Sequence, residues 1–227
     1  MLKAGFDYSW TEASFACMDS SGALLLEEHI KLPPRNASTL PCWMEQCLAA
    51  RGRSMDEISE WSVGSGPGSF TGLRLASAFV MGRAFARENV LRRAVPTAAA
   101  MARGAKCAGK KSGKSVGVLF DGRRDELLLY GMTEKEGSFV PSGVHAVLSS
   151  QDLSPLGSFD FFAALERDRE VIEKVAGSLL AGKVVFLPHI QASYLILNEP
   201  GDFSRPLTEL VYLRPAVFVE PKIPRKL

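Results

Sequence analysis

The sequence has no long uncharged hydrophobic run and almost no net charge. None of its apolar stretches approaches the ~20 residues that a helix needs to span a bilayer. Its first residues, MLKAGFDYSWTEASF, contain no apolar segment of signal-peptide length. Lys and Arg number 27 and Asp and Glu 25, which leaves a net charge of +2. So small a charge does not favour nucleic acid or an anionic membrane as a direct partner, and we predict a cytoplasmic protein that binds no membrane.

Side chains that bind transition metals are few and scattered. The chain has four cysteines and three histidines: Cys17, Cys42, Cys47, Cys107, His29, His145 and His189. The cysteines form no CxxC pair and the histidines lie far apart, whereas a zinc site usually shows paired ligands at short spacing. We therefore predict no metal site, and free, mostly buried thiols that suit a reducing cytosol.

The order of the expected elements indicates a two-lobed α/β protein. Three strands come first, and strands then alternate with helices in two halves. A length of 227 residues allows one large domain or two small ones. We predict an N-terminal lobe at residues 1–108, a basic linker at 109–114, and a smaller C-terminal lobe at 115–227.

A glycine-rich stretch, SVGSGPGSFTGLRLASAF at 62–79, opens the second helix. A glycine turn before a helix can bind an anion through free backbone N–H groups, but the G-x-G-x-x-G dinucleotide pattern is not met. Alternatively, the glycines only permit unusual backbone angles and Ser69 or Thr71 caps the helix. The loop residues under both interpretations are Gly64, Gly66, Pro67, Gly68, Ser69, Thr71, Gly72 and Arg74.

A second glycine pattern, AGKKSGKS at 108–115, loosely matches a phosphate loop. A working phosphate loop follows a buried strand and runs directly into a helix. Here a helix precedes the pattern and the strand-like run VGVLF follows it. We therefore predict a solvated linker rather than an ATP site, and the basic, glycine-containing run RGAKCAGKKSGK at 103–114 has the composition of such a linker.

Two helices have unusually apolar surfaces. The first, which begins near Leu40 and has Pro41 in its first turn, has apolar residues at i, i+3, i+4, i+7 and i+8. The second spans Ser69 to Arg87 and has no charge from Leu75 to Gly82. A helix that is apolar all round must be covered on more than one face, so we expect a second lobe or another protein to cover it.

The glycine stretch and its helix, VGSGPGSFTGLRLASAFVMGRAFA, closely resemble the bacterial TsaB (YeaZ) family. Weaker matches are the early strand with Asp7, the hairpin DGRRDELLLY, and YLRP at 212–215. The resemblance implies an actin-like ATPase (ASKHA) fold with two lobes, each with a mixed sheet and flanking helices. It also implies a non-catalytic partner of TsaD, the subunit that transfers threonylcarbamoyl to adenosine beside the anticodon of certain tRNAs.

The resemblance also bears on the metal site of the catalytic relatives. TsaD-like proteins have an H-x-x-x-H pair after the strand that follows the glycine-loop helix. The corresponding residues here, Thr97 to Met101, supply no imidazole, thiol or carboxylate. The resemblance therefore implies a pseudoenzyme without catalytic residues, metal or cofactor. Its implied partners are a TsaD-like subunit in a heterodimer, a TsaE-like ATPase in the larger complex, and tRNA indirectly.

We expect the two apolar helices to form one docking patch for the TsaD-like partner, with small residues that let another helix approach. The patch residues are Leu40, Trp43, Met44, Cys47, Leu48, Ala76, Ala78, Phe79 and Gly82. Two alternatives stay open. One is an ATPase or sugar-kinase-like enzyme that uses the glycine loop with Asp7 and Asp121. The other is a scaffold that associates with itself through the patch, and a homodimer of the isolated chain is compatible with the leading interpretation too.

Overall fold

The structure, a computed structural model, describes residues 1–33, 36–85, 87, 89–109 and 112–213. They form two five-stranded mixed sheets with flanking helices, which confirms the predicted fold class. No helix in these ranges is both long and apolar enough to cross a bilayer.

The first sheet has the strand order β3-β2-β1-β4-β5. Strands β1, β2 and β3 pair antiparallel through short turns, whereas β1, β4 and β5 pair parallel and need helical crossovers. The three predicted leading strands are therefore correct. The strands are β1 (Leu2–Asp7), β2 (Glu12–Asp19), β3 (Leu24–Lys31), β4 (Ile58–Gly64) and β5 (Leu91–Val95).

The helices of the first half are α1 (Leu40–Ala49), α2 (Phe70–Ala84) and α3 (Thr97–Gly109). Pro41 lies in the first turn of α1, as predicted. Helix α2 ends three residues before the predicted end at Arg87.

Helix α3 is longer than predicted, because residues 103–109 of the expected linker region are helical. Arg103 donates to the carbonyl of Gly137, and Lys106 pairs with Glu134. Arg103 and Lys106, which the composition of the segment assigned to a solvated linker, thus contact the second sheet and the turn between β7 and β8.

The second sheet has the order β10-β9-β6-β7-β8, which repeats the topology of the first. In both, three antiparallel strands are followed by two parallel ones. The strands are β6 (Ser115–Asp121), β7 (Leu127–Lys135), β8 (Ser138–Leu148), β9 (Phe161–Leu165) and β10 (Val184–Leu187), with helices α4 (Arg169–Leu180) and α5 (Ser193–Leu197).

The last part of the described chain returns to the first sheet. Helix α5 packs on β1, where a Cβ on Gly5 would lie 2.1 Å from the carbonyl oxygen of Ala192. Buried Arg93 of β5 donates through Nη2 to the carbonyls of Leu195 and Ile196 at 3.2 and 3.0 Å. These carbonyls end α5 and have no partner within the helix, so Arg93 joins the second half to the first.

The thiols are less buried than predicted. All four cysteines are free, but Cys42 and Cys107 are exposed and Cys47 is half-buried. Burial raises the pKa of the Cys17 thiol to about 12. Only Cys17 therefore has the buried character expected for this set.

Candidate functional site

The glycine loop packs against the turn between β1 and β2. A Cβ on Gly68 would lie 2.4 Å from the carbonyl oxygen of Ser9, and one on Gly72 would lie 2.0 Å from that of Tyr8. The Ser69 N–H donates to the Ser9 carbonyl at 2.5 Å. Contacts this short exclude any side chain at these two positions. Glycine is required here by the close approach of two backbone segments.

The buried carboxylate of Asp7 accounts for a third glycine. It accepts hydrogen bonds from Ser9 Oγ and Thr97 Oγ1, each at 2.6 Å, and from the Ser9 N–H at 2.9 Å. A Cβ on Gly64 would lie 1.9 Å from Asp7 Oδ2. Burial raises the pKa of Asp7, against the opposing effect of these hydrogen bonds. The carboxylate that a kinase would use is thus enclosed by the protein's own hydroxyls.

The other side of the loop contacts residues 203–213, which we call the C-terminal arm. The Val211 N–H donates to the Ser65 carbonyl at 2.8 Å, and the Ala94 N–H donates to the Arg205 carbonyl at 3.1 Å. Gly66 has φ +104, and a Cβ there would lie 2.8 Å from the Val211 carbonyl oxygen. The arm therefore needs the left-handed glycine in order to pass this close.

Several N–H groups of the loop donate within the protein. Those of Ser65 and Gly66 donate to the Val95 carbonyl and to Thr97 Oγ1. The Gly72 N–H donates to Ser69 Oγ at 3.4 Å, so Ser69 caps α2. Thr71, the other predicted cap, is exposed. These contacts favour the structural interpretation of the glycines over the anion-binding one.

Residues at the turn between β1 and β2 also bridge the two halves. The Trp10 ring stacks on Phe120 of β6, with centroids 5.6 Å apart. The Arg167 guanidinium lies 4.8 Å from the Trp10 centroid and donates to Thr11 Oγ1 at 3.2 Å. Asp121, the second acid considered for a kinase, accepts from the N–H of Arg123. Side chains of both halves thus meet at the turn between β1 and β2, which also contacts the glycine loop.

The segment that the resemblance compares with the metal ligands of TsaD-like proteins is buried and contains only one hydroxyl side chain, that of Thr97. Thr97 to Ala102 open α3 and are nearly inaccessible to solvent. Within the described ranges, no group of three or more His, Cys, Asp or Glu side chains is placed to hold a metal ion.

Helix α2 has one apolar face in the core and a second one in solvent. Phe70, Leu75 and Met81 are 41%, 40% and 46% exposed, and Phe85 is 82% exposed. A Cβ on Gly82 would meet nothing within 4 Å. The second face, called the outer face of α2, consists of Phe70, Arg74, Leu75, Ala78, Met81, Gly82 and Phe85.

The structure corrects most of the predicted docking patch. Four of its residues lie in the core of the first half: Leu40, Met44, Leu48 and Ala76. Three more are half-buried against that core: Trp43, Cys47 and Phe79. The single apolar face of α1 is taken by its own sheet, so it is not available to a partner.

Only Ala78 and Gly82 of the predicted patch are exposed. The larger members of the outer face, including Leu75 and Met81, were missed. They lie outside the buried face of the helix, which includes Leu73 and Val80, and helical spacing could have revealed this once one face was assigned to the core.

Comparisons with known proteins agree with this architecture. The TsaD family model, described as tRNA N6-adenosine threonylcarbamoyltransferase, matches residues 35–146. YeaZ from Pseudomonas aeruginosa has a TM-score of 0.69 at 24% identity, over 86% of this chain and 88% of that one. A second Pseudomonas aeruginosa structure, described as an uncharacterized protein with similarity to peptidase YEAZ, has a TM-score of 0.71 at 22% identity, over 94% and 99% of the chains.

Among curated proteins, none matches this chain. The family-model match includes the glycine loop and α2. Together the family model and the two solved structures show that this chain has the two-lobed fold of these structures and that its residues 35–146 are similar to the TsaD family.

Proposed function

We propose that this chain is a non-catalytic subunit of a complex that attaches threonylcarbamoyl to a tRNA adenosine beside the anticodon. The catalytic subunit is a TsaD-like protein that binds the outer face of α2. A TsaE-like ATPase joins the larger complex in the cytoplasm, and tRNA contacts this chain indirectly. The match to the TsaD family model and the YeaZ-like fold support this role in tRNA modification.

The observation that carries the proposal is the uncovered apolar face of α2. Apolar residues repeat along it at helical spacing from Phe70 to Phe85, and none of its members is acidic. An exposed patch of large apolar side chains favours a protein interaction site. Ala78 and Gly82 keep the middle of the face low, so that a partner helix can approach closely.

A non-catalytic role is supported by the residues of the former active-site region. Asp7 is enclosed by Ser9 and Thr97, and Thr97 to Met101 supply no imidazole, thiol or carboxylate to a catalytic metal. This chain would therefore contribute shape and contacts to the complex, and the partner would perform the acyl transfer.

Reconstitution tests the role in the pathway. The TsaD-like subunit, the TsaE-like ATPase and a source of threonylcarbamoyl-adenylate are combined with tRNA, with or without this chain. We expect modified adenosine to form only when the chain is present. Equal modification in its absence would refute the proposal.

Charged substitutions test the docking face. Ala78→Glu and Gly82→Glu each place a carboxylate on the exposed middle of the outer face. An unpaired charge at an interface costs several kcal/mol, so we expect affinity for the TsaD-like subunit to fall by at least about tenfold. The melting temperature should change little. The matched control is Leu179→Glu, which changes an exposed apolar residue of α4 and should leave binding intact.

Two results would contradict the docking role. Full-strength binding by both variants would exclude the outer face as the contact. A loss of homodimer without a loss of TsaD-like binding, measured by sedimentation, would favour the self-associating scaffold.

A further inference from the structure

Three side chains form an arginine–aromatic cluster at the N-terminal end of the outer face. The Arg74 guanidinium lies 3.7 Å from the Phe70 ring centroid, one helical turn away. The Phe70 ring also contacts Tyr212 of the C-terminal arm, with centroids 5.2 Å apart. Phe70 and Tyr212 are 41% and 39% exposed. The cluster therefore stands at the surface, beside the apolar part of the outer face.

Arg74 differs from the other arginines near α2 in having no acidic partner among the described residues. Arg83 Nη2 lies 2.8 Å from Asp56 Oδ1, and Arg87 Nη1 lies 3.2 Å from the same oxygen. Helix α2 itself contains no Asp or Glu. Stacking on Phe70 covers one face of the Arg74 guanidinium and leaves its in-plane N–H donors free for a carboxylate.

The C-terminal arm orients this arginine. The Val211–Ser65 hydrogen bond places Tyr212 against Phe70, and Phe70 supports Arg74. A guanidinium held by stacking loses less side-chain entropy on binding than a free one. The C-terminal arm, which contacts the glycine loop, thus fixes the direction of the Arg74 guanidinium at the edge of the outer face of α2.

We propose that Arg74 binds an Asp or Glu side chain of the TsaD-like partner, and that this pair sets the register of the partner on α2. Burying a guanidinium without an acceptor is unfavourable, so an apolar contact over Arg74 needs a carboxylate there. A second copy that packed its own α2 on this face would offer Arg74 no acid from that helix. The inference rests on the proposed function and adds the chemistry of the partner.

Substitutions at Arg74 test the pair through affinity for the TsaD-like subunit. We expect Arg74→Gln to weaken binding by about tenfold or more, as for an interface hot spot. The affinity of Arg74→Lys should lie between those of Arg74→Gln and the unaltered chain, because lysine keeps the charge but loses the planar, two-pronged donor geometry. The control is Arg92→Gln, which removes the same charge from exposed β5 and should bind like the unaltered chain.

Salt and charge exchange supply two further measurements. Binding of the unaltered chain should weaken more steeply with salt than binding of Arg74→Gln. Arg74→Glu should lose binding, and a partner whose facing acid is replaced by Lys should restore it.

The outcomes separate this inference from the proposed function. If Ala78→Glu blocks binding but Arg74→Gln does not, the outer face is the contact and the inference is wrong. If neither variant changes binding, the docking role itself fails. If Arg74→Gln lowers the melting temperature of the isolated chain as strongly as it weakens binding, its acceptor belongs to this chain. If Arg74→Gln dissociates a homodimer while binding to the TsaD-like subunit persists, the acid that pairs with Arg74 belongs to a second copy. Each of these last two results overturns the inference.

Discussion

The two halves have the same strand order but differ in the helix between their fourth and fifth strands. Helix α4 buries Ile172 and Val175 and exposes Glu173 and Lys174, which pair with Arg169 and Asp125. Helix α2 buries a similar face but has no charge from Leu75 to Gly82 on the other one. The fold needs only one apolar face at this position, so the second apolar face of α2 calls for another explanation.

The loops before these helices differ as well. In the first half β4 ends at Gly64, and the glycine loop follows. In the second half β9 ends at Leu165, and a short 3-10 helix, Glu166–Asp168, leads into α4. The difference arises from what lies beside the strand end, because Asp7 and the turn after it occupy the space that a side chain at Gly64 would need.

The largest expected effect separates the two faces of α2 by stability. Leu73→Ala removes a fully buried side chain and should lower the free energy of unfolding by about 2–5 kcal/mol. Leu75→Ala removes a side chain that is 40% exposed and should change the free energy of unfolding by no more than about 0.5 kcal/mol. Urea denaturation of both variants measures the contrast. Equal losses would mean that Leu75 is covered within the isolated chain.

The next effect concerns the strand end that distinguishes the halves. Gly64→Ala places a Cβ against Asp7 Oδ2, and we expect a loss of roughly 1–3 kcal/mol in the free energy of unfolding from overpacking. Gly82→Ala is the control, because its Cβ has open space and alanine favours a helix over glycine. Denaturation curves of the two should shift in opposite directions. A neutral Gly64→Ala would show that Asp7 can leave its hydrogen bonds without loss.

The smallest expected effect is a pH dependence at a contact between the halves. The His29 ring of β3 stacks on His189, with centroids 4.5 Å apart, and His29 Nδ1 lies 3.0 Å from Ser14 Oγ. His189 Nδ1 lies 2.9 Å from a carboxylate oxygen of Glu12. Burial, followed by the proximity of His189, lowers the pKa of His29, while Glu12 and Glu28 act in the opposite direction.

A lowered histidine pKa has a defined consequence for stability. Below 6.5, the ordinary value, the unfolded chain binds a proton at His29 that the folded chain takes up only at lower pH. The titration of His29 therefore leaves the free energy of unfolding unchanged above pH 6.5 and lowers it as the pH falls below 6.5. The urea midpoint should fall less steeply between pH 7 and 5.5 in His29→Gln than in the unaltered chain, whereas exposed His145→Gln should follow the unaltered chain. Parallel profiles for all three would exclude this contribution.

Much of the fold could be predicted from patterns in the chain. Alternation and short turns located the three leading strands, and helical spacing with Pro41 located α1. The resemblance at the glycine stretch indicated two lobes before any contact was known. The extent of α3 could not be predicted in this way, because Arg103 and Lys106 look solvated until β7 and β8 supply their partners.

The candidate site shows the same limit more clearly. The sequence by itself determined that α2 has no charged residue from Leu75 to Gly82 and that Thr97 to Met101 supply no imidazole, thiol or carboxylate, because both depend only on residue types. Only the tertiary structure decided which apolar residues reach solvent: it buried Leu40 and Met44 of α1 and left Leu75 and Met81 uncovered. Spacing specifies which residues share a face, but the rotation of a helix on its sheet is set by packing against strands that are distant in the chain. The position of the C-terminal arm beside α2 depends likewise on contacts across the whole fold, which no local pattern contains.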